Sequence, residues 1–315
     1  MNQRQVLLEN RDMAYLDEHQ QKTLKAQTPP RPTKPIDGAI SHYKSFPSQW
    51  IRPRQVDVWL PEGYDSNSSN RYPVVYMHDG QLSFHIAASP FAGMDLFWEV
   101  DKVMTRLASA KEIAPAIVVS VWMADWSKGA RAAEYMPQKV VTPAVWQTML
   151  NNGWGDKEGN DTLTSDLYLR FLVEELKPFI DSNYSTNSNR SHTLMMGASM
   201  GGLISAYAIS EYPEIYGAAA CLSTDWAMSE GAVVRWFDDH WPSAGGHRIY
   251  FDLGTETYDA DYGPYQAQMD QVMRNHGYTE GVDWTTQRFA GADHSPRAWR
   301  KRLHVPLQFL LGTLQ

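Results

Sequence analysis

The chain has a single cysteine in 315 residues, Cys221, so it forms no intramolecular disulfide and has no cysteine cluster for a metal; its stability must come from packing. It contains no run of about 18 apolar residues, the length a membrane-spanning helix needs. Residues 1–21 are mostly polar and lack the basic, apolar and small-residue order of a secretory leader. As it stands the sequence reads as cytoplasmic, or as periplasmic or secreted if an export signal has been removed. Positive charge is not in excess either: 28 Lys and Arg face 36 Asp and Glu, a formal net charge of −8, with no general attraction to phosphate backbones or anionic lipid. Neither nucleic-acid binding nor membrane insertion is expected. Repeats are absent, and the one biased tract, the Ser/Asn stretch Asp65 to Asn70, suits a hairpin loop.

What is present is an ordinary globular composition, 43% hydrophobic and 20% charged, at a length that fits one large α/β unit with an arm. Residues 2–25 suggest a short amphipathic helix, and four prolines between Thr28 and Pro35 a linker, so we divide the chain into an arm and linker, 1–35, and a single domain, 36–315. Strands are expected at Gln55 to Leu60, Pro73 to Met77, Ala116 to Val121, Thr193 to Met196, Ala218 to Leu222, Arg248 to Leu253 and Trp284 to Phe289. Helices alternate with them at Glu99 to Ala108, Ser165 to Ile180, Ser199 to Ser210, Tyr262 to Asn275 and Pro296 to Leu311. Such alternation implies an α/β fold, a mostly parallel central sheet with helices on both faces. Trp122 to Thr164 and Thr224 to Gly246 break the rhythm as long, aromatic, turn-rich segments expected to shape a pocket.

One motif carries chemistry. Gly197-Ala198-Ser199-Met200-Gly201-Gly202 joins a short apolar strand to an Ala-rich helix. A strained strand-to-helix turn at this point lifts a serine above the sheet, and only small neighbours let the backbones cross. The Met200 N–H at the helix start then faces a developing oxyanion. The alternative is a capped helix start, and the strand and helix context favours the nucleophile.

Ten histidines compete for the role of base. In α/β-hydrolases the order is nucleophile, acid, histidine, with the histidine after the last strand, and His294 in Gly291-Ala292-Asp293-His294-Ser295-Pro296 fits. His240 and His247, with Asp238 and Asp239, match no zinc spacing and read as solvated loop. Cys221 reads as a buried small residue of its strand rather than a nucleophile. A second oxyanion donor is expected in His78-Asp79-Gly80-Gln81, which follows an earlier strand, from the backbone N–H of Gly80 or Gln81.

With these residues in place, the chain resembles the esterase family that includes esterase D, the enterobactin esterases, the family-one carbohydrate esterases and the mycolyltransferases. The resemblance runs from about Tyr43 to the C-terminus. Its most specific matches are Tyr76-Met77-His78-Asp79-Gly80-Gln81, Arg131-Ala132-Ala133-Glu134-Tyr135-Met136-Pro137, Phe171-Leu172-Val173-Glu174-Glu175-Leu176-Lys177-Pro178 and the Ser199 motif. It implies the α/β-hydrolase fold, no metal or organic cofactor, Ser199 as nucleophile, His294 as base and an oxyanion donor near Gln81. Relatives often carry an aspartate three residues after the glycine ending the penultimate strand, and Thr257 holds that place here. Three carboxylates compete for the acid. Glu256, two residues past Gly254, is our first choice; Asp259 is expected to cap the following helix, and Asp225 to anchor the Trp226 loop.

The expected reaction is acyl transfer through Ser199 on a small-molecule or carbohydrate ester, with an amide as an alternative. Twelve tryptophans are many for this length, and Trp122, Trp126, Trp154 and Trp226 lie in the two irregular segments, where indoles can stack on sugars or aromatic acyl groups. An acetylated or feruloylated carbohydrate is therefore the expected substrate; a siderophore or other small ester is second, and a catalytically idle carbohydrate-binding protein is the alternative of another class.

Overall fold

The computed structural model describes residues 24, 32, 34–124, 129–151 and 162–312. The expected N-terminal helix and most of the proline linker lie outside them. Eight strands form one sheet: β1 (Ala39–Phe46), β2 (Arg54–Leu60), β3 (Val74–Met77), β4 (Ile117–Val121), β5 (Thr193–Ala198), β6 (Ala218–Leu222), β7 (Arg248–Leu253) and β8 (Trp284–Arg288). Their order is β1-β2-β4-β3-β5-β6-β7-β8. The β1/β2 and β2/β4 pairs are antiparallel and every other pair is parallel. This is the expected α/β-hydrolase architecture. It corrects one expectation: β2 and β3 lie on opposite sides of β4, so the loop through Asp65 to Asn70 is no hairpin but carries the chain across the sheet.

The strands are legible because their apolar residues serve two cores. Along β3, Val74 and Tyr76 enter one cluster and Val75 and Met77 the other, as the period-two geometry of a strand requires. The second cluster takes up α1 (Val100–Ser109), α8 (Pro296–Arg302) and α9 (His304–Leu311). The first takes up α4, whose successive stretches are Ser165–Arg170, Phe171–Leu176 and Lys177–Asn183, with α5 (Met200–Glu211), α6 (Ala232–His240) and α7 (Gly263–Asn275). α5 is buried along nearly its whole length, Met200 through Ile209. Cys221 is wholly buried in β6, where burial pushes its thiol up.

Two helices read as single differ in a way that proline explains. In α4 the turn Phe171–Leu176 widens to π-helical spacing just ahead of Pro178, which has no N–H for the Glu174 carbonyl and whose ring crowds it. At the C-terminus Pro306 cannot donate to Arg302, so the run breaks at Leu303 and Pro306 falls in the first turn of α9, where a missing N–H costs little. The irregular segments contain helices as well: α2 (Ala130–Tyr135), α3 (Pro143–Asn151) and α6. In α6 an apolar face of Val233, Val234 and Phe237 is buried, so this part of Thr224 to Gly246 packs into the core. Among the described residues no helix is long and apolar enough to cross a membrane.

Candidate active site

The residues singled out in the sequence collect at the carboxyl ends of the parallel strands, the edge where open α/β sheets bind ligands. Ser199 follows β5, Gln81 follows β3, Asp225 follows β6, Asp259 follows β7 and His294 follows β8.

Ser199 sits between β5 and α5 at φ 58° and ψ −123°, a conformation L residues avoid. The surroundings hold it there. A Cβ on Gly197 would come within 2.6 Å of the Gly201 backbone, and one on Gly202 would collide with Thr224 Oγ1, so the crossing closes only over glycine. The Ser199 N–H is tied to Leu222 O at 2.9 Å. Met200 opens α5, so its N–H has no intrahelical carbonyl to meet.

His294 is held on several sides. Its backbone N–H donates to Thr257 Oγ1 (2.8 Å), and Tyr258, Tyr262 and Trp299 set ring edges against it at centroid distances of 5.6, 5.7 and 5.1 Å. Its Nδ1 meets Asp259 Oδ1 at 2.6 Å. The other Asp259 oxygen accepts from Ser223 Oγ and from the Gly254 N–H, both at 2.5 Å, and the side chain is wholly buried. Burial alone would raise the Asp259 carboxyl, but the hydrogen bonds from His294, Ser223 and Gly254 outweigh it and bring it below its usual range.

The carboxylate that meets His294 is thus Asp259, and the expectation for Glu256 is corrected. The Glu256 side chain is exposed, and among the described residues its one side-chain hydrogen bond is with Thr255 Oγ1 at 3.4 Å. Thr257 lies at φ 55° in a 3₁₀ turn, Thr257–Asp261, that swings the chain round and delivers Asp259 two residues beyond the place expected for the acid. The Asp259 side chain does not cap α7. Asp225 is close enough to His294 and Arg131 to feel both charges and accepts a hydrogen bond from Tyr262, while burial holds its carboxyl above the usual range.

Sequence reasoning missed the second layer of contacts. Ser223 Oγ, besides donating to Asp259, accepts from Trp299 Nε1 (3.0 Å) and Arg302 Nη2 (2.7 Å), and Arg302 is paired with buried Asp252 at 2.8 Å. On the opposite side Arg131 forms a two-pronged pair with Asp79, Nε to Oδ1 at 2.9 Å and Nη2 to Oδ2 at 2.8 Å, and also reaches Ala198 O at 3.3 Å. The Arg131 and His78-Asp79-Gly80-Gln81 motifs therefore lock together beside the Ser199 turn. His78 is buried, its Nδ1 2.7 Å from the Tyr168 hydroxyl, and burial lowers its pKa to about 3. Gln81 is 2% exposed.

Of the four tryptophans expected to bind substrate, Trp126 and Trp154 lie outside the described residues. Trp226 is corrected: it is wholly buried, edge-on to Phe237 and Phe251, with its N–H on Gln266 Oε1 at 2.8 Å. Trp122 is 8% exposed and its N–H is taken by Asp57 Oδ2 at 2.7 Å. Among the described residues an aromatic side chain that does stand open at the site is Tyr258, 73% exposed beside His294. Among the described residues no group of three or more His, Cys, Asp or Glu is arranged to hold a metal ion.

Comparison with known proteins agrees with this fold. The family model described as "Putative esterase" matches residues 48–310. An uncharacterized protein of Bacillus subtilis strain 168, YbbA, is 22% identical over 283 residues, 88% of this chain and 98% of that protein. Among solved structures, a ferulic acid esterase of the anaerobic fungus Anaeromyces mucronatus is similar with a TM-score of 0.61 at 19% identity, covering 90% of this chain and 94% of that one. The enterobactin esterase of Shigella flexneri gives a TM-score of 0.57 at 20% identity, with 90% of this chain and 60% of that one covered.

Proposed function

The chain belongs to the family described as "Putative esterase" and is an esterase of the α/β-hydrolase fold; from that premise we propose that it is a serine hydrolase that works through an acyl-enzyme on Ser199. The observation that carries the proposal is the strained Ser199 turn on the same sheet edge as His294 and the buried Asp259 it is bonded to. His294, with Nδ1–H directed at Asp259, accepts the Ser199 hydroxyl proton on Nε2 while the oxygen attacks the ester carbonyl carbon. The Met200 and Gln81 N–H groups receive the negative oxygen. His294 passes the proton to the departing alcohol; water then repeats the sequence on the acyl-enzyme, releasing the acid and free Ser199. Every proton moves through one imidazole, so the cycle needs no metal or organic cofactor.

The proposed substrate is an acylated carbohydrate bearing an acetyl or feruloyl ester. Two of the expected indole platforms are engaged elsewhere, so support for an aromatic acyl group rests on Tyr258, open beside His294, and on the likeness to a ferulic acid esterase across nearly the whole of that chain. The test is a panel of p-nitrophenyl acetate, acetylated xylan, methyl ferulate and a siderophore ester. Ferulate or acetyl-xylan cleavage with higher kcat/KM than the simple acetate supports the reading. Cleavage of the simple acetate alone, or preference for a siderophore ester, overturns the substrate assignment and leaves the serine mechanism standing.

A further inference from the structure

Trp122 leaves the end of β4 beside the Gly80–Leu82 turn, and its indole is not free to move. The antiparallel registers set His42 of β1 opposite Asp57 of β2, and Asp57 opposite Ser120 of β4. Asp57 is wholly buried and collects three donors: His42 Nδ1 at 2.5 Å, Trp122 Nε1 at 2.7 Å and Gln55 Nε2 at 3.1 Å. A carboxylate out of water is tolerable only with such bonds, and charge-assisted bonds are the strong ones, so this group anchors whatever donates to it.

The anchored indole lies directly against Gly80. A Cβ at Gly80 would fall 2.8 Å from Trp122 Cδ1 and 2.7 Å from the Ser120 carbonyl carbon, so the turn rests on β4 and the indole with no intervening space. Two more bonds hold the next residue: the Met123 N–H donates to Gln81 Oε1 at 3.3 Å, and Ser89 Oγ donates to Gln81 O at 2.7 Å. Gly80 thus rests on the anchored indole, and Gln81 is bonded at both its carbonyl and its side chain.

Resting on the reading above, in which the Gln81 N–H is an oxyanion donor, we infer that Trp122 and Asp57 are positioning residues for that donor. The Asp57–Trp122 bond makes the indole a rigid floor under Gly80 and so sets the direction of the Gln81 N–H. Neither side chain touches a reacting atom. Because the ground-state carbonyl makes less use of that donor than the tetrahedral oxyanion does, loosening the floor slows turnover and leaves substrate binding unchanged.

Trp122→Phe keeps the ring and removes the N–H. Losing one oxyanion donor outright costs about 100- to 1,000-fold, so misdirecting it is expected to lower kcat by about 10- to 100-fold. KM should stay within about threefold, and affinity for a boronic acid that mimics the tetrahedral state should fall with kcat/KM while that of the product carboxylate holds. Asp57→Asn retains an oxygen for the indole and offers its amide to His42 in the accepting tautomer, so it should keep kcat within about fivefold of wild type. If Trp122→Phe does not fold, Asp57→Glu, which moves the acceptor by one methylene and keeps the charge, is read for the same split. An unchanged kcat, a loss confined to KM, or equal loss of boronate and product affinity overturns the inference; so does Asp57→Asn losing as much as Trp122→Phe. Fluorophosphonate labelling of wild type separates the two levels: no label on Ser199 removes the serine mechanism itself, whereas a labelled wild type with an indifferent Trp122→Phe removes only the positioning role.

Discussion

Changing Asp259 to asparagine removes one charge and forces a choice on the hydrogen bonds around it. One carboxyl oxygen accepts from His294 Nδ1, the other from Ser223 Oγ and the Gly254 N–H. The amide NH2 cannot face the Gly254 N–H, which is fixed by the backbone, so it turns toward His294. The imidazole must then accept at Nδ1 and carry its proton on Nε2, the tautomer that cannot take a proton from Ser199. In a serine protease the corresponding aspartate-to-asparagine change lowers kcat by about 10,000-fold, equivalent to about 5 kcal/mol of transition-state stabilisation. We expect a loss of that order here, with KM little changed. Glu256→Gln, at an exposed side chain, should stay within about threefold of wild type. The assay is steady-state hydrolysis of p-nitrophenyl acetate at pH 7.5 by both variants, with circular dichroism to establish folding. An Asp259→Asn enzyme within tenfold of wild type, or a folded but inactive Glu256→Gln, would refute the reasoning.

Three further outcomes follow from the geometry. His78, whose pKa burial lowers to about 3 from an ordinary 6.5, is neutral when folded and binds a proton when unfolded between those values, so its contribution is present above pH 6.5 and is lost as pH falls toward 3. The full span is worth about 5 kcal/mol, and His78→Asn should flatten the fall in urea midpoint between pH 6.5 and 4; an unchanged slope contradicts this. Ser199→Gly should abolish activity yet raise the Tm, since a non-glycine residue strained at this φ and ψ costs about 1–3 kcal/mol; a lower Tm shows that the turn is not strained. Trp226→Ala should cost about 3–5 kcal/mol without reordering substrates, whereas Tyr258→Ala should leave stability within about 0.5 kcal/mol and raise KM for aryl esters selectively. The reverse pattern would return Trp226 to the pocket.

How far the sequence was readable depends on whether its signals are local. The parallel strands β3 to β7 are short apolar runs buried on both faces, and the Ser199 turn is defined by glycines a few residues apart, so both can be read from neighbours alone. The proline breaks at Pro178 and Pro306 are equally local signals. Asp259 is a different case. Its position depends on a 3₁₀ turn entered through a left-handed Thr257, and counting residues after β7 as though the chain ran straight points instead to Glu256. Tryptophan count likewise carries no direction: Trp226 turns into the core on the strength of a bond to Gln266, some 40 residues away in sequence, and Trp122 back to Asp57, 65 residues away. Exposed Tyr258, the aromatic that remains open, had no sequence signal beyond its place near the site.

The most direct test is active-site labelling. Wild-type protein treated with a fluorophosphonate should gain one phosphonyl group by intact mass, with loss of esterase activity in step, and peptide mapping should place it on Ser199. Ser199→Ala should take up none, and Asp259→Asn should label far more slowly than Glu256→Gln. Label on another residue, undiminished label on Ser199→Ala, or an unlabelled wild type that still hydrolyses esters would contradict the serine mechanism.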